Sequence, residues 1–150
     1  MQLVYATESL LFDVEEYDNI LNLDFVPDER NDQPIYMNWG VFRKLEEQNR
    51  CVTFTARNGR DKLLGFVIYI VYNHLHYKDT MIATCDTLCV DPEFRGHGIA
   101  TGMMKFAEPK LIDYCATKII HMSRHMPDTS GMFIKQGYSI IETAFCKTVG

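Results

Sequence analysis

The 150-residue sequence has no long hydrophobic run, no paired cysteine motif and no surplus of basic charge. Its longest apolar stretch, Leu63–Tyr72, is broken by Gly65 and reaches only about half of the roughly 20 residues that a membrane span needs. No basic segment leads into an apolar one near the start; Glu8, Asp13, Glu15 and Glu16 stand where the core of a signal peptide would lie. Repeats, low-complexity tracts and interior linkers are also missing, so one domain over residues 1–150 is expected. With 47% hydrophobic and 23% charged residues, membrane, collagenous and disordered classes are excluded. A chain of this length buries about 68–70% of its unfolded surface and needs no disulfide or metal to hold a core. A cytoplasmic protein is the expectation.

Cysteine usage agrees with a reducing compartment. Cys51, Cys85, Cys89, Cys115 and Cys146 are odd in number and contain no Cys-x-x-Cys pair, so they are read as reduced thiols, mostly in the core. Cys85 and Cys89 lie four apart in a predicted strand, which puts them on one face but too far apart to bind one tetrahedral metal alone. No metal is expected.

Charge is distributed unevenly. Residues 1–50 carry 4 Lys and Arg against 11 Asp and Glu, whereas residues 51–150 carry 11 against 9. This disfavours nucleic-acid binding, which requires a concentrated basic footprint. The split suits an anionic cofactor held by the second part and a cationic substrate received near the first, or a plain solvated acidic face.

Periodicity predicts a strand over Met1–Thr7, a helix over Glu8–Leu23, a loop over Val26–Met37 and a helix from the N-cap Asn38 to Gln48. Strands follow at Cys51–Arg57, Leu63–Tyr72 and Met81–Val90, the first two joined at the turn signal Asn58-Gly59. A helix over residues 98–115 carries Ala100, Met103, Ala107, Leu111 and Tyr114 on one face, with Pro109 expected to kink it. Lys118–Ser123 reads as a strand, Pro127–Gln136 as a helix stopped by Gly137, and Tyr138–Lys147 as a last strand. The order predicts an α/β fold: a mixed, mostly antiparallel central sheet of about 6–7 strands flanked by about 4 helices.

Chemistry concentrates in Leu88-Cys-Val-Asp-Pro-Glu-Phe-Arg-Gly-His-Gly-Ile-Ala100. A strand ends at Val90 and a helix begins among glycines, so first-turn amides without intrahelical partners face whatever approaches. Gly96 and Gly98 remove side chains there, and Arg95 supplies charge, which makes a plausible pyrophosphate cradle. A P-loop would need Gly-Lys-Ser/Thr, but Ile99 follows Gly98. A dinucleotide fingerprint would need a third glycine at Thr101.

Arg95-Gly-His-Gly-Ile-Ala100 resembles instead the Arg/Gln-x-x-Gly-x-Gly/Ala signature of the GNAT (Gcn5-related N-acetyltransferase) superfamily. Val90-Asp-Pro-Glu-Phe94 resembles its lead-in, and Phe133-Ile-Lys-Gln-Gly-Tyr138 its second hallmark, an aromatic-x-x-x-Gly-aromatic. The segment Asn73-His74-Leu75-His76-Tyr77 resembles small members encoded by tailed phages. The resemblance implies acetyl-CoA as co-substrate, its pyrophosphate on Arg95, Gly96, His97, Gly98, Ile99 and Ala100, and its pantetheine along Leu88, Cys89 and Val90. It implies transfer to a primary amine by direct attack in a ternary complex. The acceptor is an amine-bearing small molecule or protein, with no nucleic acid or membrane partner, and the chain is a monomer or homodimer.

A lysine-like amine, with a pKa of about 10.4, costs roughly 4–5 kcal/mol to present neutral at pH 7, so a nearby carboxylate helps. Asp86 is the candidate base: many family members place an acidic residue there, and strand alternation puts it on the face of Leu88 and Val90. Phe133 departs from the family pattern, which often has Tyr at this position to protonate the CoA thiolate. A thiolate of pKa near 8.5 leaves without strict need of an acid, and Ser130, Tyr138 or water can substitute. The same departure keeps open a non-catalytic CoA-binding or protein-interaction module. The pair His74-x-His76 reads as a solvated loop, and His121 and His125 straddle a strand end without chelating geometry.

Overall fold

Leu63–Asn73 (β3) is the spine of the sheet, because its β-branched and aromatic residues are covered on both faces. In the computed structural model, which describes residues 1–9, 14–23, 35–123 and 128–150, every residue from Leu63 to Tyr69 is buried. Cys51–Asn58 (β2) pairs antiparallel with β3 on one side, and Leu3–Glu8 (β1) pairs antiparallel with β2 beyond it. Met81–Val90 (β4) pairs antiparallel with β3 on the other side, and Lys118–Ile120 (β5) adds parallel to β4, giving the order β1-β2-β3-β4-β5. The hairpin expected at Asn58-Gly59 is present as a wider loop. Asn58 Oδ1 accepts from the amides of Arg60 (2.9 Å) and Lys62 (3.0 Å), and Asp61 takes the left-handed conformation at φ 64°.

Two hydrophobic layers cover the sheet. On one face Val14–Leu23 (α1) buries Tyr17, Ile20 and Leu21 against Leu63, Phe66 and Ile68. Trp39–Glu47 (α2) adds Trp39, Phe42 and Leu45 there. The Asn38 side chain caps α2 through the Val41 amide, as its position predicts, and Trp39 Nε1 donates to Asp18 Oδ1 at 3.0 Å. On the opposite face Ile99–Asp113 (α3) buries Ile99, Met103, Ala107 and Leu111, an unbroken i, i+4 row, against Phe54, Val67, Tyr69 and Val71. The stripe therefore starts at Ile99, with Ala100 only half-buried. Pro109 does not end α3, which runs on to Asp113. Ser130–Lys135 (α4) lies on the α3 side, where Gln136 Nε2 meets Met104 Sδ at 3.6 Å.

Part of the acidic balance of residues 1–50 is structural. Buried Arg57 donates to Glu8 through Nε (3.1 Å) and Nη2 (3.1 Å), and through Nη1 to Glu16 (2.8 Å) and to the Asp61 carbonyl (3.0 Å). Burial alone would lower its pKa, but the hydrogen bonds it donates to Glu8 and Glu16 raise it. This hub ties β1, α1 and the β2–β3 loop together. Asp28, Glu29 and Asp32, in the expected loop Val26–Met37, lie outside the described residues.

Two expectations require correction. Five strands form among the described residues, against the 6–7 expected, because Tyr138–Lys147 joins no ladder; Ile140, Ile141 and Phe145 are exposed. Apolar, β-prone residues do not make a strand without a paired edge, and adjacent Ile140 and Ile141 break the alternation that would give one buried face. The second correction is in β4. Ile68 pairs with Thr87 and Tyr69 with Cys85, so Asp86 is an extra residue, a β-bulge that reverses the alternation after it. Cys85, Leu88 and Val90 pack on the α3 face and Cys89 on the α1/α2 face, so Cys85 and Cys89 do not share a face. Nor is Asp86 in step with Leu88 and Val90.

The closeness of β3 to β4 is testable at Gly65. A Cβ there would lie 2.9 Å from the Cys89 carbonyl oxygen and 3.2 Å from Met103 Cε, so backbone must move. Gly65→Ala is expected to cost about 1–3 kcal/mol, read as a lowered urea midpoint at constant slope. An unchanged midpoint would show that the two strands have slack.

Candidate active site

The site begins as a fork. β5 pairs with β4 only at Ile82, Ala83 and Thr84, so from Cys85 to Val90 β4 keeps its β3 partner while its other edge has no strand beside it among the described residues. Such an edge presents a row of amides and carbonyls to an incoming extended group. Asp86 sits where the fork opens. Its side chain is exposed, and Oδ2 accepts from Thr87 Oγ1 at 2.7 Å. Burial raises the thiols of Cys51 and Cys85 to about 12, helped by the Asp86 charge, which leaves both inert.

At the far end of the open edge the chain turns into α3. Buried Asp91 donates its amide to the Leu64 carbonyl (2.8 Å) and accepts the Glu93 amide on Oδ1 (3.0 Å), which closes a 3-10 turn over Pro92–Phe94. Gly96 and Gly98 are left-handed at φ 82° and 74°, angles that L side chains avoid, and an added Cβ at either would meet nothing within 4 Å. Gly98 is the N-cap of α3 and no side chain caps it. The first α3 ladder bond onto Gly98 is donated by Gly102 (2.9 Å), so the amides of Ile99, Ala100 and Thr101 precede it. His97 turns back onto its own loop, its Nδ1 lying 3.0 Å from the Phe94 carbonyl oxygen and 3.2 Å from that of Arg95. Both partners are acceptors, which assigns the proton to Nδ1. Arg95 is exposed at the rim.

The α3 side of the fork is aromatic. Phe133, 7% exposed on α4, has its ring 5.0 Å from His121 and 5.9 Å from Tyr138. His121 is the first residue beyond the last β4–β5 pair, and its Nε2 lies 2.7 Å from the hydroxyl of buried Tyr69. Burial pushes the imidazole down to about 4 and raises the Tyr69 phenol. The phenol of Tyr138 is pushed up to about 12 by burial, with Glu108 and Cys85 adding to it. Sequence periodicity marks Tyr69 only as core and gives His121 no role. The available signal was a tyrosine in the middle of an otherwise apolar central strand, whose hydroxyl must find a partner.

The fold therefore brings the Leu88–Val90 edge, the Arg95–Ala100 turn, Asp86 and Phe133 to one region around the C-terminal half of β4. His74 and His76 stand apart in an exposed loop, their rings 5.5 Å from each other. Among the described residues no group of three or more His, Cys, Asp or Glu side chains is arranged to hold a metal. No helix among them is long and apolar enough to cross a membrane.

A mixed sheet forked beside an uncapped, glycine-led helix defines the class of acyl-transferase folds. A profile described as the Acetyltransferase (GNAT) family matches residues 14–137, and the chain belongs to that family. No curated protein matches it by sequence. Among solved structures, a transcriptional regulator from Bacillus halodurans C-125 superposes with a TM-score of 0.80 at 16% identity, covering 99% of this chain and 100% of the other. Glucosamine-6-phosphate N-acetyltransferase from Arabidopsis thaliana gives 0.76 at 10% identity over 100% of both chains. An aminoglycoside acetyltransferase from an uncultured soil metagenomic sample gives 0.72 at 15% identity, over 99% of this chain and 97% of that one. At these identities the likeness is one of fold.

The depressed pKa of His121 has a stability consequence. The unfolded imidazole takes up a proton near pH 6.5 and the folded one only near 4, so stability is lost as pH falls through that window. From pH 7.5 to pH 5 the loss assignable to His121 is about 2 kcal/mol, and His121→Gln is expected to remove it. Urea unfolding of both proteins at the two pH values checks this; equal acid sensitivity would mean that His121 is not buried.

Proposed function

We propose that this chain, one domain over residues 1–150, is an acetyl-CoA-dependent N-acetyltransferase that moves an acetyl group to a primary amine by direct attack in a ternary complex. The observation that carries the reading is the meeting of two features on one strand: an open β4 edge from Cys85 onward and an uncapped α3 N-terminus just past its end. The amides of a pantetheine arm suit the edge at Leu88, Cys89 and Val90. Its pyrophosphate suits the turn of Arg95, Gly96, His97, Gly98, Ile99 and Ala100, where both glycines leave open space and Ile99 and Ala100 precede the helix ladder. Phe133 lends the thioester end an apolar wall. Bound acetyl-CoA supplies the activated acyl group, and the protein's residues orient it and manage protons.

Exposure of Asp86 at the mouth of the fork suits a carboxylate that meets an ammonium from solvent and takes its first proton. The two transferases described above carry amine-bearing sugars in their names. An amine-bearing small molecule or protein is the acceptor class proposed for this chain. Reduced thiols at Cys51, Cys85 and Cys115 fit a reducing cytoplasm. One observation, a phenylalanine where the family often has tyrosine, favours the alternative of a non-catalytic CoA-binding module; release of free thiol from acetyl-CoA in the presence of an amine separates the two.

Two variants test the assignment. Gly98→Val puts a branched side chain into the open space over the turn, and its left-handed φ adds strain of about 1–2 kcal/mol. The folded variant is expected to bind acetyl-CoA at least about 30-fold more weakly by calorimetry, about 2 kcal/mol; normal binding would remove the turn from the site. Asp86→Asn is expected to lower kcat/KM by about 10²–10⁴-fold, with partial recovery as pH rises and the amine deprotonates unaided. Its acetyl-CoA affinity should be unchanged. A loss that is the same at every pH would make Asp86 a structural residue.

A further inference from the structure

Amide formation from an ammonium releases two protons. The first leaves before attack, and the second leaves the acceptor nitrogen as the C–N bond forms and the C–S bond breaks. That second proton belongs on the CoA sulfur, and Phe133 has no hydroxyl to deliver it. The polar ring packed nearer to Phe133 is His121, just past β5, at 5.0 Å against 5.9 Å for Tyr138. Ile120 makes the last β4–β5 pair, with Thr84, so His121 stands at the crotch of the fork, across from Cys85 and Asp86. Its ring packs 5.0 Å from Phe133, 5.3 Å from Tyr69 and 5.5 Å from Tyr138. Nε2 is engaged by the Tyr69 hydroxyl at 2.7 Å, while Nδ1 has no hydrogen-bond partner among the described residues.

We propose that His121, oriented by Tyr69, carries the second proton from the acceptor nitrogen to the departing CoA sulfur. The proposal rests on the acetyltransferase reading and deepens it. In the tautomer this requires, Nε2–H donates to Tyr69 Oη and Nδ1 carries the lone pair. Nδ1 takes the proton from nitrogen once the tetrahedral adduct forms, and gives it to sulfur as the C–S bond breaks. Amine and thioester become amide and thiol, and the imidazole returns neutral. Burial favours this cycle: an imidazolium of pKa about 4 is a far stronger acid than a thiol near 8.5, so transfer to sulfur runs downhill. Negative charge developing on oxygen and sulfur in the adduct raises the affinity of Nδ1 for its proton at that moment. The surrounding titratable groups are Tyr69 from β3, Cys85 from β4, Tyr138 after α4, and Glu108 from α3 acting on both phenols. Burial holds the two phenols and the Cys85 thiol neutral at pH 7, so none of these three competes as a base. Tyr69 is a positioning residue; His121 is the group that meets the reacting atoms.

The test uses the full chain, acetyl-CoA, and spermidine, kanamycin, glucosamine 6-phosphate and an alanine-terminated peptide as amine probes. His121→Gln is expected to keep the acetyl-CoA Kd within about twofold and to lower kcat about 10²-fold. Adding Phe133→Tyr to that variant supplies a phenol at the neighbouring ring and should recover about tenfold or more, a rescue that lost packing would not give. Tyr69→Phe should lower kcat less than His121→Gln and leave KM for acetyl-CoA unchanged. Independently of turnover, ¹⁵N NMR of the wild type should find Nδ1 unprotonated at pH 7 and the His121 ring signals moved by saturating acetyl-CoA. Wild-type kcat in His121→Gln, or ring signals indifferent to bound acetyl-CoA, would overturn the proposal while leaving the acetyltransferase reading standing. Failure of the wild type to bind acetyl-CoA would overturn both.

Discussion

The site depends on a mismatch of strand lengths. β3 holds β4 through Gly65, opposite Val90, but β5 holds it only through Thr84. Because one edge of β4 is secured along its whole length, the other edge can stay open without fraying, and the strand delivers Asp91 and the glycine turn to a fixed place. Backbone groups at an open edge are normally a liability in a folded protein. On β4 the open stretch is limited, among the described residues, to the six residues Cys85–Val90. The bulge at Asp86 falls at the boundary. It twists the strand where its second partner departs and turns a charged side chain outward, avoiding the cost of burying an unpaired carboxylate.

Around that edge the protein divides its charges by environment. Asp86 faces water, whereas His121, Tyr69 and Tyr138 are held in apolar surroundings that favour their neutral forms. A neutral imidazole beside an apolar ring is a different apparatus from a phenol on α4. Phe133 is buried there, its ring 5.0 Å from the imidazole. The acidic residues distant from this region have other work, and Glu8 and Glu16 are bound into the Arg57 hub.

Much of this was legible in the sequence where a local rule governs it. The Asn38 cap, the β3 spine, the 15-residue α3 and the glycine turn all follow from capping, β propensity and backbone freedom. What was not legible depends on partners distant in sequence. Alternation placed Asp86 with Leu88 and Val90, but a single inserted residue shows no signature of its own; only the pairing with Ile68 and Tyr69 reveals it. Tyr138–Lys147 has the composition of a strand, yet pairing, not composition, makes one. The contact between Tyr69 and His121 spans 52 residues and joins a core tyrosine to a strand-end histidine, which periodicity treats separately.

The two arms of the fork also have different histories along the chain. β2, β3 and β4 are joined by hairpins and can zip together from neighbouring segments, whereas β5 and α4 must return across the whole of α3 to reach their places. Closing the parallel pair carries the larger loop-entropy cost, and it rests on only three residue pairs. A molecule seated in the fork would touch both arms and so would bind only the chain in which they are docked. By mass action such a molecule would draw the segment from β5 onward, about the last fifth of the protein, into place.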